Sequence, residues 1–370
     1  MTAMRVLIAC DKFKGTLSAP EACAAIARGL RRHRPDAQIE ECPIADGGEG
    51  FATALAGPLG GHWVEAPVHD ALGRPITARY LVAEIDGVIT AVMEMAEASG
   101  LWRIAPDERD ILRSDTRGTG EMIRHAIGSS GARKIVLGIG GSATNDGGAG
   151  MAAELGVRFL DAEGRSLSPA PAVLAERLRK VDMSGRRPLP PMLVACDVDN
   201  PLLGPCGATR VFGPQKGADE TTLPVLEKAL EKIMCCSGGE LASTHPGAGA
   251  AGGLGFGLLH FAGAEIVPGF DLLAALTGLE QRVRAADLVV TGEGSLDAQT
   301  LSGKGPIGVA RLARKFGKPV WALCGRADQT ARDSGWFDRI CDLATATGQP
   351  DNILFSQAAR LLEEIAAQVP

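Results

Sequence analysis

Five short segments of this 370-residue chain bring glycine together with carboxylates, lysines and hydroxyls. In Asp11-Lys12-Phe13-Lys14-Gly15-Thr16, the lysines can meet a phosphate or a carboxylate. In Ala45-Asp46-Gly47-Gly48-Glu49-Gly50, Asp46 and Glu49 can hold a cation or orient a hydroxyl. Gly138-Ile139-Gly140-Gly141-Ser142-Ala143-Thr144-Asn145-Asp146 suits an anion cradle, because glycines let backbone N–H groups approach and Ser142 and Thr144 can donate. In Cys196-Asp197-Val198-Asp199, the aspartates can share a cation, or one can accept a hydroxyl proton; Gly213-Pro214-Gln215-Lys216 supplies a further lysine downstream. The fifth segment, Thr291-Gly292-Glu293-Gly294-Ser295-Leu296-Asp297, runs on to Lys304 and places acids and a lysine in metal–phosphate company. Backbone donors and lysines for phosphates, carboxylates for a metal and one carboxylate for an acceptor hydroxyl are what phosphoryl transfer requires.

The elements that must position these groups are legible around them. Apolar runs at Arg5 to Cys10, Lys134 to Gly140, Met192 to Cys196, Asp287 to Thr291 and Pro319 to Cys324 predict buried strands, and most of the segments above directly follow one. In an open α/β sheet the residues just past strand C-termini line the binding crevice. Helices are predicted at Pro20 to Arg32, Gly120 to Ser129, Leu223 to Cys235 and Ile307 to Lys315, with a closing helix carrying Leu354, Ala358, Leu361 and Ile365. Alternating stretches at Thr77 to Ala83 and Val88 to Met95, joined through Asp86-Gly87, predict antiparallel strands. The fold class expected is α/β. Residues 1–62 with 282–370 form a doubly wound parallel-sheet domain, residues 63–281 an inserted mixed α/β domain, and the active site lies in the cleft between them.

Composition excludes several classes. The net charge of −6 and the lack of a basic block argue against nucleic acid as a partner. No run reaches 18 apolar residues, so no membrane span is expected, and the N-terminus lacks a signal-peptide pattern. The nine cysteines show no Cys-x-x-Cys or zinc spacing and suit a reducing cytoplasm. Ser302-Gly303-Lys304-Gly305 departs from the Walker A pattern at Ala298 and Gly305. Gly247 to Gly252 does fit Gly-x-Gly-x-x-Gly but follows no convincing strand. It leaves a nicotinamide-dependent oxidoreductase as one alternative, beside a non-catalytic anion-binding protein.

Read together and in order, DKFKGTLSA, PIADGGEG, GIGGSATNDGGAGM, ACDVDNPLLGP, FGPQKGA, GAGAAGGLG and TGEGSLDAQT closely resemble the bacterial type-1 glycerate kinase family, over residues 4 to about 325. The resemblance implies ATP-dependent phosphorylation of D-glycerate with Mg2+, giving 2-phosphoglycerate, or 3-phosphoglycerate under older naming. It also implies a flavodoxin-like domain carrying an inserted second domain. On this reading Asp197, Lys14, Asp46 and Lys304 are catalytic. Gly140, Gly141, Ser142, Thr144, Asn145, Asp146, Gly292, Glu293 and Gly294 bind ATP. Asp11, Lys12, Gly47, Glu49, Asp297 and Lys216 bind glycerate, and Asp197 and Asp199 bind the metal. The protein is expected to be a monomer or homodimer. Ser295 stands where an arginine is common in the family, which opens another small hydroxy acid as the substrate.

Overall fold

The structure is a computed structural model that describes residues 3–302 and 305–367. The chain packs as two units. One comprises Met1–Asp46, Thr53–Leu59 and Phe270–Pro370, and the other Gly47–Ala52 and Gly60–Gly269.

In the first unit, Arg5–Cys10 is buried from its second residue to its last, as expected of a strand covered on both faces. It is flanked in parallel by Gln38–Glu41 and Leu288–Gly292, followed outward by Val320–Cys324 and Arg339–Asp342. Counted along the unit, the five strands lie in the order 2-1-3-4-5. The helix Ala19–His33 starts at a capping box. Ser18 Oγ accepts from the Glu21 N–H, and the Ser18 N–H donates to Glu21 Oε2 at 2.8 Å. It packs against the last helix, Ala358–Ala366, and Ile26, Leu30, Leu361, Leu362 and Ile365 meet in the core.

The closing helix is two helices. Asp351–Ser356 stops at Gln357, whose φ of −122° is not helical, and Ala358–Ala366 begins beyond it. Within the first of these helices Leu354 is 6% exposed and the next residue, Phe355, 57%. The unit also begins earlier than residue 282. Helices Gly269–Thr277 and Leu279–Ala285 pack on it, through Phe270 against Gly308 and a Lys315–Glu280 ion pair at 3.0 Å.

The second unit holds a six-stranded mixed sheet. Glu265–Val267, Met192–Ala195, Lys134–Gly138 and Val88–Glu94 run parallel, and Pro75–Ile85 and His62–His69 continue it antiparallel. Tyr80, Met93, Ile135, Leu137 and Val194 lie in its core. A two-stranded ribbon, Arg158–Leu160 with Lys180–Asp182, stands apart. Among the described residues no helix is long and apolar enough to cross a membrane.

Candidate active site

In the first unit, Asp11, Lys12, Lys14, Asp46, Glu293, Gly294 and Ser295 line one cleft of about 470 Å³. Its position follows from the sheet. Asp11 and Glu293 each follow a strand, and those strands are parallel neighbours with Cys10 opposite Gly292. From Arg5–Cys10 the chain continues to one side and later returns on the other, which makes this a switch point of the sheet, where α/β proteins bind ligands. The Asp11 N–H donates to the Gly292 carbonyl at 2.8 Å, and the Lys12 N–H to Asp11 Oδ1 at 2.6 Å. Gly294 lies close to the lysine loop, since a Cβ there would stand 3.3 Å from the Lys14 nitrogen.

The carboxylates of this cleft are electrostatically crowded. Burial pushes the Asp11 carboxyl up to about 7, and the charge on Asp46 adds to it. Burial likewise pushes Glu293 up to about 7, helped by Asp11, Asp297 and Asp46, although the Thr300 hydroxyl donates to Glu293 Oε1 at 2.6 Å and favours the ionised form. Asp297 accepts from the Thr300 N–H at the start of the helix Ala298–Ser302, a structural use of a residue expected at the substrate. Lys304 lies outside the described residues.

Among the residues of this cleft that the sequence motifs did not single out are Arg326, Asp351 and Phe355. Arg326 obeys the same rule as the others, because it follows the strand Val320–Cys324. Its guanidinium pairs with Asp351. Phe355 carries no such signal, since it lies within the helix Asp351–Ser356 and follows no strand.

In the second unit three of the sequence segments converge. A Cβ on Gly140 would stand 2.5 Å from Gly48 Cα, and one on Gly47, whose φ is +85°, would stand 2.9 Å from Ala195. The turn at Gly47 and Gly48 therefore lies against both the loop after Lys134–Gly138 and the end of Met192–Ala195. Glu94 accepts from the N–H groups of Gly50 and Ala52 at 2.9 and 2.8 Å, at the start of the helix Phe51–Leu59. Asp197 is exposed beyond its strand, and its Oδ1 accepts from the Gly269 N–H at 3.1 Å. Asp199 and Glu49 are exposed.

The loop from Ser142 to Asp146 is interior. Thr144, Asn145 and Asp146 are fully buried, and only Gly140 and Gly141 of the expected cradle reach the surface. Asp146 accepts from the Thr116 N–H and hydroxyl at 2.9 and 2.7 Å, and from the N–H groups of Gly150 and Gly148 at 2.9 and 3.2 Å. Burial raises its carboxyl above the usual range against those bonds. Lys216, expected at the substrate, is also interior: its Nζ donates to Ser142 Oγ and to the Thr144 carbonyl, each at 2.7 Å. Burial pushes its amine down to about 7, with Asp146 working in the other direction. These side chains shape the loop from within.

The segment fitting Gly-x-Gly-x-x-Gly is a packing element. The Gly147 N–H donates to the Gly252 carbonyl at 3.0 Å, and a Cβ on Gly252 would stand 1.9 Å from the Thr144 oxygen. No strand precedes it, so its glycines serve close approach to the 144–148 loop rather than a dinucleotide.

A parallel sheet with acids and lysines gathered at its switch point, and a second sheet whose strand ends carry a glycine loop and an exposed aspartate, define an α/β enzyme equipped to handle anionic substrates. Residues 6–370 match the family model described as the Glycerate kinase family. The chain is 45% identical to the glycerate kinase of Bacillus subtilis (strain 168), covering 99% of this chain and 97% of that one. It is 44% identical to the glycerate 2-kinase of Escherichia coli (strain K12), over 98% and 97%. A crystal structure described as a candidate glycerate kinase 2 from Salmonella typhimurium LT2 superposes with a TM-score of 0.85 at 39% identity, over 99% of this chain and 97% of that one. This chain belongs to the glycerate kinase family, and it is a kinase.

Proposed function

We propose that the protein transfers the γ-phosphoryl group of ATP to the 2-hydroxyl of D-glycerate, as a type-1 member of its family with a flavodoxin-like first unit. The observation that carries this reading is the first-unit cleft, where Lys12 and Lys14 stand with Asp11, Asp46 and Glu293 at the sheet's switch point. Lysines there neutralise phosphate or carboxylate charge, and the transfer depends chiefly on such positioning and charge stabilisation. The 2-position is supported by the name of the Escherichia coli relative, a glycerate 2-kinase.

Asp197 is the group proposed to accept the substrate hydroxyl proton, being exposed and held by the Gly269 N–H. Glu49 stays as a candidate substrate contact, and the N–H groups of Gly140 and Gly141 as candidate phosphate donors.

Magnesium is proposed to enter with the nucleotide. Among the described residues no group of three or more His, Cys, Asp or Glu side chains is arranged to hold a metal ion, and the pair Asp197 and Asp199 stays a candidate for it. A nucleotide-bound magnesium needs only one or two carboxylates besides the phosphates. Asp11 and Glu293 fit that donor set, since burial and mutual repulsion penalise their charges and a cation relieves both. When bound, the ion would neutralise charge developing on the transferred phosphoryl group.

The test is ADP release by the purified protein with ATP, magnesium and D-glycerate, with phosphorus NMR of the product. A 2-phosphoglycerate resonance is expected. A 3-phosphoglycerate resonance would overturn the regiochemistry, and turnover only with a different hydroxy acid would move the specificity, with Ser295 the first residue to change.

A further inference from the structure

The first-unit cleft has two chemically different ends. One carries Lys12, Lys14, Asp11, Asp46 and Glu293, while Asp351, paired with Arg326, lies one helical turn before Phe355. The other is walled by Leu343, Leu354, Phe355 and Ala358. Glycerate cannot use the second end, because each of its three carbons bears oxygen. A purine can, since it has two apolar faces and stacks well on an aromatic ring. Phe355 is 57% exposed at the rim, while Leu343 and Leu354 are 1% and 6% exposed, so the aromatic ring is the main apolar surface presented. The ring also adjoins the lysine loop: a Cβ on Gly15 would stand 3.7 Å from Phe355 Cε1. A base on the wall thus places the groups attached to it beside Lys14, and Arg326 stands on the same rim.

We infer that this cleft is the nucleotide site, with the purine of ATP against Phe355 and its phosphates toward Lys14 and Arg326. The inference rests on the kinase reading of the same cleft and adds to it which of the two substrates the cleft takes and which way round. It also makes Phe355, with no polar atom in its side chain, a residue for nucleotide affinity.

The experiment compares wild type with Phe355→Ala. Because the ring is exposed, the variant is expected to fold. Steady-state kinetics should show KM for ATP raised about tenfold, in the range that loss of one base–aromatic contact produces, and KM for glycerate unmoved. Calorimetric titration with ADP should show the same loss without turnover. Adenosine should compete with ATP in wild type and lose that competition in the variant, whereas tripolyphosphate should compete equally with both. A rise in KM for glycerate with ADP affinity intact would overturn the inference and leave the kinase reading standing. A wild type that binds ADP through Phe355 but makes no phosphoglycerate would overturn the glycerate reading and leave the nucleotide site.

Discussion

Replacing Glu293 with glutamine should make the ligand-free protein more stable and less active. In the folded chain this carboxyl sits at about 7 against an ordinary 4.5, chiefly through burial, with Asp11, Asp297 and Asp46 adding to it. A group whose folded value is raised contributes stability that is complete below the unfolded value and is lost as pH rises through the folded one. For Glu293 that window runs from 4.5 to about 7. The gap of about 2.5 pH units, at roughly 1.4 kcal/mol each, bounds the cost of ionisation near 3 kcal/mol. Glu293 lines an open cleft, and solvent screening reduces the net effect to about 1–2 kcal/mol. Glutamine keeps an oxygen for the Thr300 hydroxyl and removes the charge. Glu293→Gln should therefore exceed wild type by about 1–2 kcal/mol near pH 8 and match it near pH 4. Urea unfolding at both pH values would measure this in a background with Trp63 and Trp102 changed to phenylalanine, because Trp321 and Trp336, the remaining two of four tryptophans, lie in the first unit. ADP release in the same variant should fall, since a charge retained at such a cost serves the substrate complex. A variant less stable than wild type near pH 8, or equally shifted at both pH values, would refute the reasoning.

Asp197→Asn should lower kcat by about 10²–10⁴-fold with an unchanged circular dichroism spectrum, because the residue is exposed and its proposed role is proton acceptance; near-normal turnover would remove Asp197 from the reaction. Gly140→Ala should destabilise the second unit by about 1–3 kcal/mol, since the new methyl meets Gly48 Cα at 2.5 Å, and chemical denaturation would read it. Asp146→Ala should be more severe, about 3–5 kcal/mol, because it strands the buried N–H groups of Thr116, Gly148 and Gly150 and leaves Lys216 without its nearby carboxylate. Recovery of soluble protein and its urea midpoint would check that.

The strand framework was readable because each buried strand is a short apolar run ended by glycine or a charged residue. Arg5–Cys10, Lys134–Gly138 and Val320–Cys324 lie within a residue or two of expectation. The period-2 alternation at Pro75–Ile85 and Val88–Glu94 likewise marked the antiparallel pair. Local pattern failed where a long-range contact decides the outcome. Phe270–Gln281 joins the first unit because Phe270 packs on Gly308, a partner 38 residues ahead that no local signal indicates. The closing helix has continuous helical spacing, yet it breaks at Gln357, although Leu354 before the break and Leu361 beyond it join the same core.

The lysines show most clearly what a strand-end motif does and does not say. Lys14 and Lys216 both lie in glycine-flanked loops and read alike in sequence. Lys14 ends exposed at the mouth of a cleft, with its charge available to an anionic substrate. Lys216 ends 1% exposed, with its amine on Ser142 Oγ and the Thr144 carbonyl. The second fate is costly for a cation, as its lowered titration point records. It is sustained because Asp146 and the loop oxygens share one interior with it. The glycine loop of the second unit therefore owes its shape to buried charges that a reading by motif assigns to ligands. In the first-unit cleft the fold instead leaves Asp11 and Glu293 partly exposed, with their carboxyls pushed up to about 7 by burial. Motifs name the residues that chemistry requires, and burial, which depends on the whole chain, sorts those that meet a substrate from those that hold the loop in place.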